Sequence, residues 1–292
     1  MTLDELIQQG WADHADKTAE VADRLEQGVG LVEEGPGAAR YMNLVNHAVG
    51  DHLGERARAT ALCEAAIAQL GDDADGDAYL HLAVARRLSG DDKGPMAAQD
   101  ASGGKEPSFG VRVGMLVAQG HMHAGAWGEA DPLYRAMLAT ADLLEAGNAA
   151  ERTVAVVSNN LASELLGVRE RDARQDALMH DAAKAAFTYW SRVGTWVNQA
   201  RGEYLLSLVQ CSLGDANAAR DAAERGLQII DQADGEEPVD EAFLHVARAT
   251  ACREQGDGEA QSESLAMAAA LGAAFEGDGL IAWFQEELAK AR

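Results

Sequence analysis

VAQGHMHAGAWGEADPLY, running from Val117 to Tyr134, decides the fold. A small-residue segment, Val117-Ala118 with His121, leads to Gly125; Ala130 follows five residues later and Tyr134 four after that. The phrase recurs as Leu206-Ser207, Gln210, Gly214, Ala219 and Ala223, and again as Leu53-Gly54-Glu55, Ala59 and Cys63. Self-similarity of this kind marks a repeat architecture, in which each unit stacks on the next to bury its apolar face. Glycine suits the tight turn between antiparallel helices because it tolerates positive φ. Alanine suits the point where the second helix crosses the first, where only a small side chain fits. Gly54, Gly90 and Gly125 are spaced by 36 and 35 residues, and Gly214 and Gly256 by 42.

Outward from these phrases the periodicity is helical nearly throughout, with no sustained strand alternation. Leu3 to Val29 predicts one long helix or two, punctuated by Glu34-Gly35-Pro36. Further helices are expected over 38–53, 55–70, 78–88, 109–124, 128–145, 151–166, 173–190, 198–213 and 217–230. Pro238 sits at a favoured first-turn position and opens a helix to about Gln255. Glu259 to Leu271 is its partner. Leu280 to Lys290 reads as a capping helix, apolar at Leu280, Trp283, Phe284 and Leu288. Asp91 to Ser108, with Gly94-Pro95, Gly103-Gly104 and Pro107, reads as a loop or as a short helix over Met96 to Ala101.

Composition agrees. The 292 residues are 47% hydrophobic but only 5% aromatic, and they hold five Pro. Alanine supplies much of that apolar share, and it is the best helix former. A net charge of −24 repels phosphate backbones, so no nucleic-acid partner is expected. A solvated acidic surface accounts for the charge, with a basic partner as the alternative. Cys63, Cys211 and Cys252 are odd in number and lack C-x-x-C spacing, which predicts free thiols in a reducing compartment. No signal peptide or membrane span is read, so the expected location is cytoplasmic.

At Val117-Ala118, His121, Gly125, Ala130 and Tyr134 the chain resembles the tetratricopeptide repeat family, matching all but the first aromatic of its pattern. Leu206-Ser207, Gln210, Leu213-Gly214-Asp215, Ala219 and Leu227 match most of it. Asn159-Asn160-Leu161-Ala162 with Leu165 looks like the first helix of the longer repeats of kinesin light chains. Around Gly90 the expected Ala is replaced by Pro95, and after Gly167 it is missing. The resemblance implies an all-α fold: a right-handed α-solenoid of antiparallel helix pairs, expected as one domain over 1–292. N-terminal helices would occupy 1–37, about six helix pairs 38–272, and a capping helix 273–292.

The resemblance also implies a concave groove that takes a peptide. Its lining would be Gln119, Met122 and His123, then Asn159, Asn160 and Ser163, then Arg201, Tyr204 and Leu208. Asn160 stands where family members often place an Asn on the peptide backbone, and an amide offers both donor and acceptor. Met115, Met122, Tyr204 and Leu208 would form apolar pockets. Residues 152–201 carry seven Lys or Arg against five Asp or Glu, a basic island suited to a peptide carboxylate. The competing reading pairs Arg169, Arg171 and Arg174 with Glu170, Asp172 and Asp176. Tyr189-Trp190 and Trp196 read as a packing wedge or as a ligand wall.

No nucleophile elbow, zinc-protease helix or phosphate loop is present, so no enzymatic activity is expected. His121 and His123 are two apart and point to different faces of a helix. His47 and Asp51 share a face, but no third and fourth ligand follow at fixed spacing. No metal or other cofactor is therefore expected. The function expected is a protein-interaction module with a protein or peptide partner. The alternatives are an enzyme or metal- or small-molecule-binding protein on a helical scaffold, and a self-assembling structural scaffold.

Overall fold

The protein is seen as a computed structural model that describes residues 1–91, 93–101 and 107–292. It is all-helical, with no strand among those residues. Its helices pack as successive neighbouring pairs, the local arrangement of an α-solenoid. Contacts gather the chain into two compact units, Met1–Thr153 and Val154–Arg292.

The first unit opens with α1 (Leu3–Asp13) and α2 (Thr18–Gly28). Thr2 and Glu5 form a capping box at the start of α1, each side chain satisfying the other's backbone N–H. Next come α3 (Gly35–Leu44), α4 (Arg56–Leu70), α5 (Gly76–Leu88), α6 (Gly94–Ala101), α7 (Pro107–His123) and α8 (Trp127–Ala141). The helix expected over 38–53 starts earlier, because Pro36 lies in the first turn of α3 rather than outside it. It also changes character: Val45–His52 is a π-helix. Of the 91–108 stretch, α6 realises the short-helix reading; Asp92 and residues 102–106 lie outside the described residues.

The second unit begins within α9 (Ala150–Gly167) and continues through α10 (Ala173–Val193), α11 (Trp196–Ser212), α12 (Ala216–Asp231), α13 (Pro238–Gln255), α14 (Gly258–Gly272) and α15 (Asp278–Lys290). In α15, Phe284 and Leu288 are buried as a capping face requires. Trp283 is 51% exposed and instead lays one side of its ring against Phe243 at 4.3 Å.

The turn chemistry follows the repeat phrase. Gly125 has φ +69°; its N–H donates to the Met122 carbonyl at 2.7 Å and that of Ala126 to the His121 carbonyl at 2.8 Å. This is the Schellman pattern, which satisfies carbonyls that the helix end leaves open. Gly256, at φ +76°, closes α13 in the same way. Asp257 then accepts from the Ala260 N–H and caps the next helix. At the crossings, Ala59, Ala130 and Ala219 are all buried.

His81 lies half-buried on α5. Burial pushes its imidazole down to about 4, with Asp77 opposing the shift and Arg112 reinforcing it. The unfolded chain takes up that proton near the ordinary value of 6.5, whereas the folded chain refuses it until about 4. Stability supplied by neutral His81 is therefore complete above pH 6.5 and lost as pH falls toward 4. The loss is expected to reach about 2 kcal/mol at pH 5. Denaturant titrations at pH 7 and pH 5 should show it, and His81→Leu should remove that part of the difference; an unchanged difference would refute the assignment.

Candidate metal centre

The π-helix Val45–His52 brings the chemistry together. Its wider turn closes with the Leu53 N–H donating to the Ala48 carbonyl at 3.2 Å, five residues back. On an α-helix, residues five apart sit about 140° round the axis. The π turn brings His47, Asp51 and His52 to one side instead, and such turns recur at functional sites. Packing holds it: Ala48, Val49 and Gly50 are buried. The buried Asn46 amide donates to the His81 carbonyl at 3.0 Å and accepts from the Cys63 thiol. Cys63 is thus a free, buried thiol, as its sequence context predicts.

Two neighbours complete the cluster. His14 stands at the C-cap of α1, where its Nδ1 meets the Trp11 carbonyl at 2.6 Å. That carbonyl accepts only from an Nδ1–H tautomer, which leaves the Nε2 lone pair for another partner. His123 is the last residue of α7, and its Nδ1 lies 2.9 Å from Asp51 Oδ2. The His47 and His52 Nε2 atoms are 3.1 Å apart. Donors in a tetrahedral zinc set, with bonds of about 2.0–2.1 Å, sit roughly 3.3 Å apart, so this pair is already spaced as ligands of one ion. Donor atoms of His14, His47 and His52 all lie within 4.8 Å of one another, and so do those of His47, Asp51 and His123.

The electrostatics favour neutral rings. Burial pushes His47 down to about 4, helped by the nearby His123 and His52 and opposed by Asp51. Burial also lowers His52, with His14 and His123 adding to the effect. A neutral imidazole keeps a lone pair for a metal, and imidazole sets suit zinc, copper, nickel and iron. Three imidazoles on one ion leave a fourth position for water, whose pKa the ion would lower.

The expected groove residues fare differently. Met115 and Met122 belong to the buried core, facing inward from α7, and so offer no pocket wall. Gln119 is half-buried on the same helix, and His123 is engaged by Asp51. Asn159 and Asn160 are half-buried on α9, while Ser163 is exposed and donates to the Asn159 carbonyl. The Arg201 guanidinium forms a two-pronged bridge to Asp240 at 2.8 and 2.9 Å. Tyr204 and Leu208 are half-buried, and Tyr204 meets Phe243 edge-on. Tyr189 is buried, as the wedge reading requires, with the Arg192 guanidinium over its ring. In the basic island Arg171 pairs with Asp176 at 2.8 Å.

His47 and Asp51 were visible as a pair, but His14, His52 and His123 had no signal at metal-site spacing. His123 is 72 residues from Asp51, and His52 is five from His47, a spacing that a regular helix separates.

No family model matches the chain, and no curated protein matches it. Among solved structures it is similar to BtubC (BKLC) from P. vanneervenii, at 18% identity and a TM-score of 0.49, over 87% of this chain and 94% of that one.

Proposed function

We propose that the first unit binds a divalent transition-metal ion on His14, His47 and His52. The observation that carries this reading is the convergence of three imidazoles whose donor atoms lie within 4.8 Å of one another. The depressed pKa values of His47 and His52 support it, because these rings need no deprotonation at neutral pH. Trp11 supplies a reporter, with its ring 5.2 Å from that of His47 and 5.4 Å from that of His14. Titrating the metal-stripped chain with Zn(II) and Cu(II) is expected to show saturable binding, with Cu(II) quenching a component of fluorescence that Trp11→Phe removes. Absence of saturable binding by either ion overturns the proposal.

Peptide binding by the second unit is the second reading. It is supported by a mixed stripe on α9: Val156, 37% exposed, followed by Asn159, Asn160 and Ser163 at helical spacing. Asn160→Ala should weaken any peptide captured there while leaving helix content unchanged; equal affinity would remove Asn160 from the reading.

A further inference from the structure

We infer that the histidine cluster is a two-ion centre, in which the His47 ring bridges a first ion on His14 and His52 to a second ion on Asp51 and His123. This rests on the metal reading above and extends it. The two nitrogens of His47 face different partners. Nε2 lies 3.1 Å from His52 Nε2, while Nδ1 lies 4.0 Å from Asp51 Oδ2. The two lone-pair directions of one imidazole diverge in the ring plane, so a single ion cannot use both. The second set is compact in its own right: Asp51 Oδ2 and His123 Nδ1 are 2.9 Å apart, and all three donors lie within 4.8 Å.

Asp51 carries an independent sign. Its side chain is 8% exposed, and Oδ1 is buried without a hydrogen-bond partner. A buried carboxylate oxygen left unpaired is costly. Gly120 packs close to it: a Cβ there would come within 3.1 Å of Oδ1 and 2.7 Å of Leu88 Cδ1, so a larger residue would crowd the carboxylate. A cation on Asp51 would compensate its charge and give the unpaired Oδ1 a partner, beside the Oδ2 that already faces His123.

The proton balance follows. With one ion on Nε2, neutral His47 keeps its proton on Nδ1. The second ion takes the Nδ1 lone pair, and that proton leaves to the buffer. The bridging imidazolate and the Asp51 carboxylate then offset two of the four positive charges.

The experiment is Cu(II) titration of the full chain, followed by metal analysis after gel filtration and by electron paramagnetic resonance. The expected result is two ions per chain, with an isolated Cu(II) signal at one equivalent that diminishes through magnetic coupling at two. Asp51→Asn and His123→Ala should each reduce the count to one and leave the first ion's quenching of Trp11 intact. Using both variants separates loss of a ligand from disturbance of the π turn. One ion per chain overturns the two-ion centre but leaves the first site standing. Two ions that stay uncoupled, or that survive both variants, overturn the bridge, as ions held on the acidic surface would. No saturable Cu(II) binding in the titration overturns this inference, and, if Zn(II) also fails to bind, the proposed function with it.

Discussion

Replacing His47 with Ala is expected to lower affinity for Cu(II) or Zn(II) by about 100-fold or more, equivalent to roughly 3 kcal/mol. His47 is the one residue common to both donor sets, so its loss leaves two ligands in each. Its ring also organises the others: it lies 4.5 Å from the His52 ring, 5.0 Å from that of His14 and 5.2 Å from that of His123. The backbone around it is held by Asn46, Ala48 and Val49, which the substitution does not touch, so helix content should persist. Calorimetry with each ion, beside circular dichroism, makes the comparison. Affinity within threefold of the parent chain would show that His47 is not a ligand. Quenching of Trp11 should disappear with the affinity, since Cu(II) would no longer be held beside a ring that lies 5.2 Å from that of His47.

The second large effect lies in the other unit, at Arg171. Its side chain is 11% exposed and its guanidinium serves three elements. It donates to the Leu165 and Val168 carbonyls at 3.0 and 2.8 Å, with a longer 3.4 Å contact to Leu166, and so closes the end of α9. It also bonds Asp176 near the start of α10 and the Ser212 hydroxyl at the end of α11. Helix C-termini carry unsatisfied carbonyls and partial negative charge, which a cation offsets. Arg171→Met keeps much of the stem and removes every one of these donors. The expected cost is about 2–4 kcal/mol, built from several charge-assisted bonds, each worth roughly 1.5–3 kcal/mol before water replaces some of them. Arg171→Lys should recover little, because an ammonium lacks the planar fork that reaches carbonyls and carboxylate together. Amide exchange across 165–176 in the full chain is the measurement, and protection unchanged by Arg171→Met would rule out this capping role.

Arg171 also shows where reading along the chain stops. Its pairing with Asp176 follows from neighbours five residues apart, and the basic-island alternative loses that guanidinium to structure. The Ser212 contact, 41 residues away, is visible only after the helices stack. Arg201 repeats the lesson: a side chain expected at a peptide is committed to Asp240, 39 residues on.

Helix positions, glycine turns and small crossing residues were legible because each depends on contacts within one repeat. Gly125 and Gly256 adopt the positive φ that their helix ends demand, Ala130 and Ala219 are buried, and Pro238 opens α13. The π turn was not legible, since 38–53 carries an ordinary helical pattern and the packing around Asn46 and Val49 selects the wider turn. The candidate centre was still less so. Its residues come from the end of α1, the π-helix and the end of α7, and local spacing carries no record of how distant helices approach. By itself the sequence determined a chain of paired helices, through short-range sterics and periodic burial. Only the tertiary structure decided that four histidines and one aspartate share a site, because that depends on which helix ends long-range packing brings together.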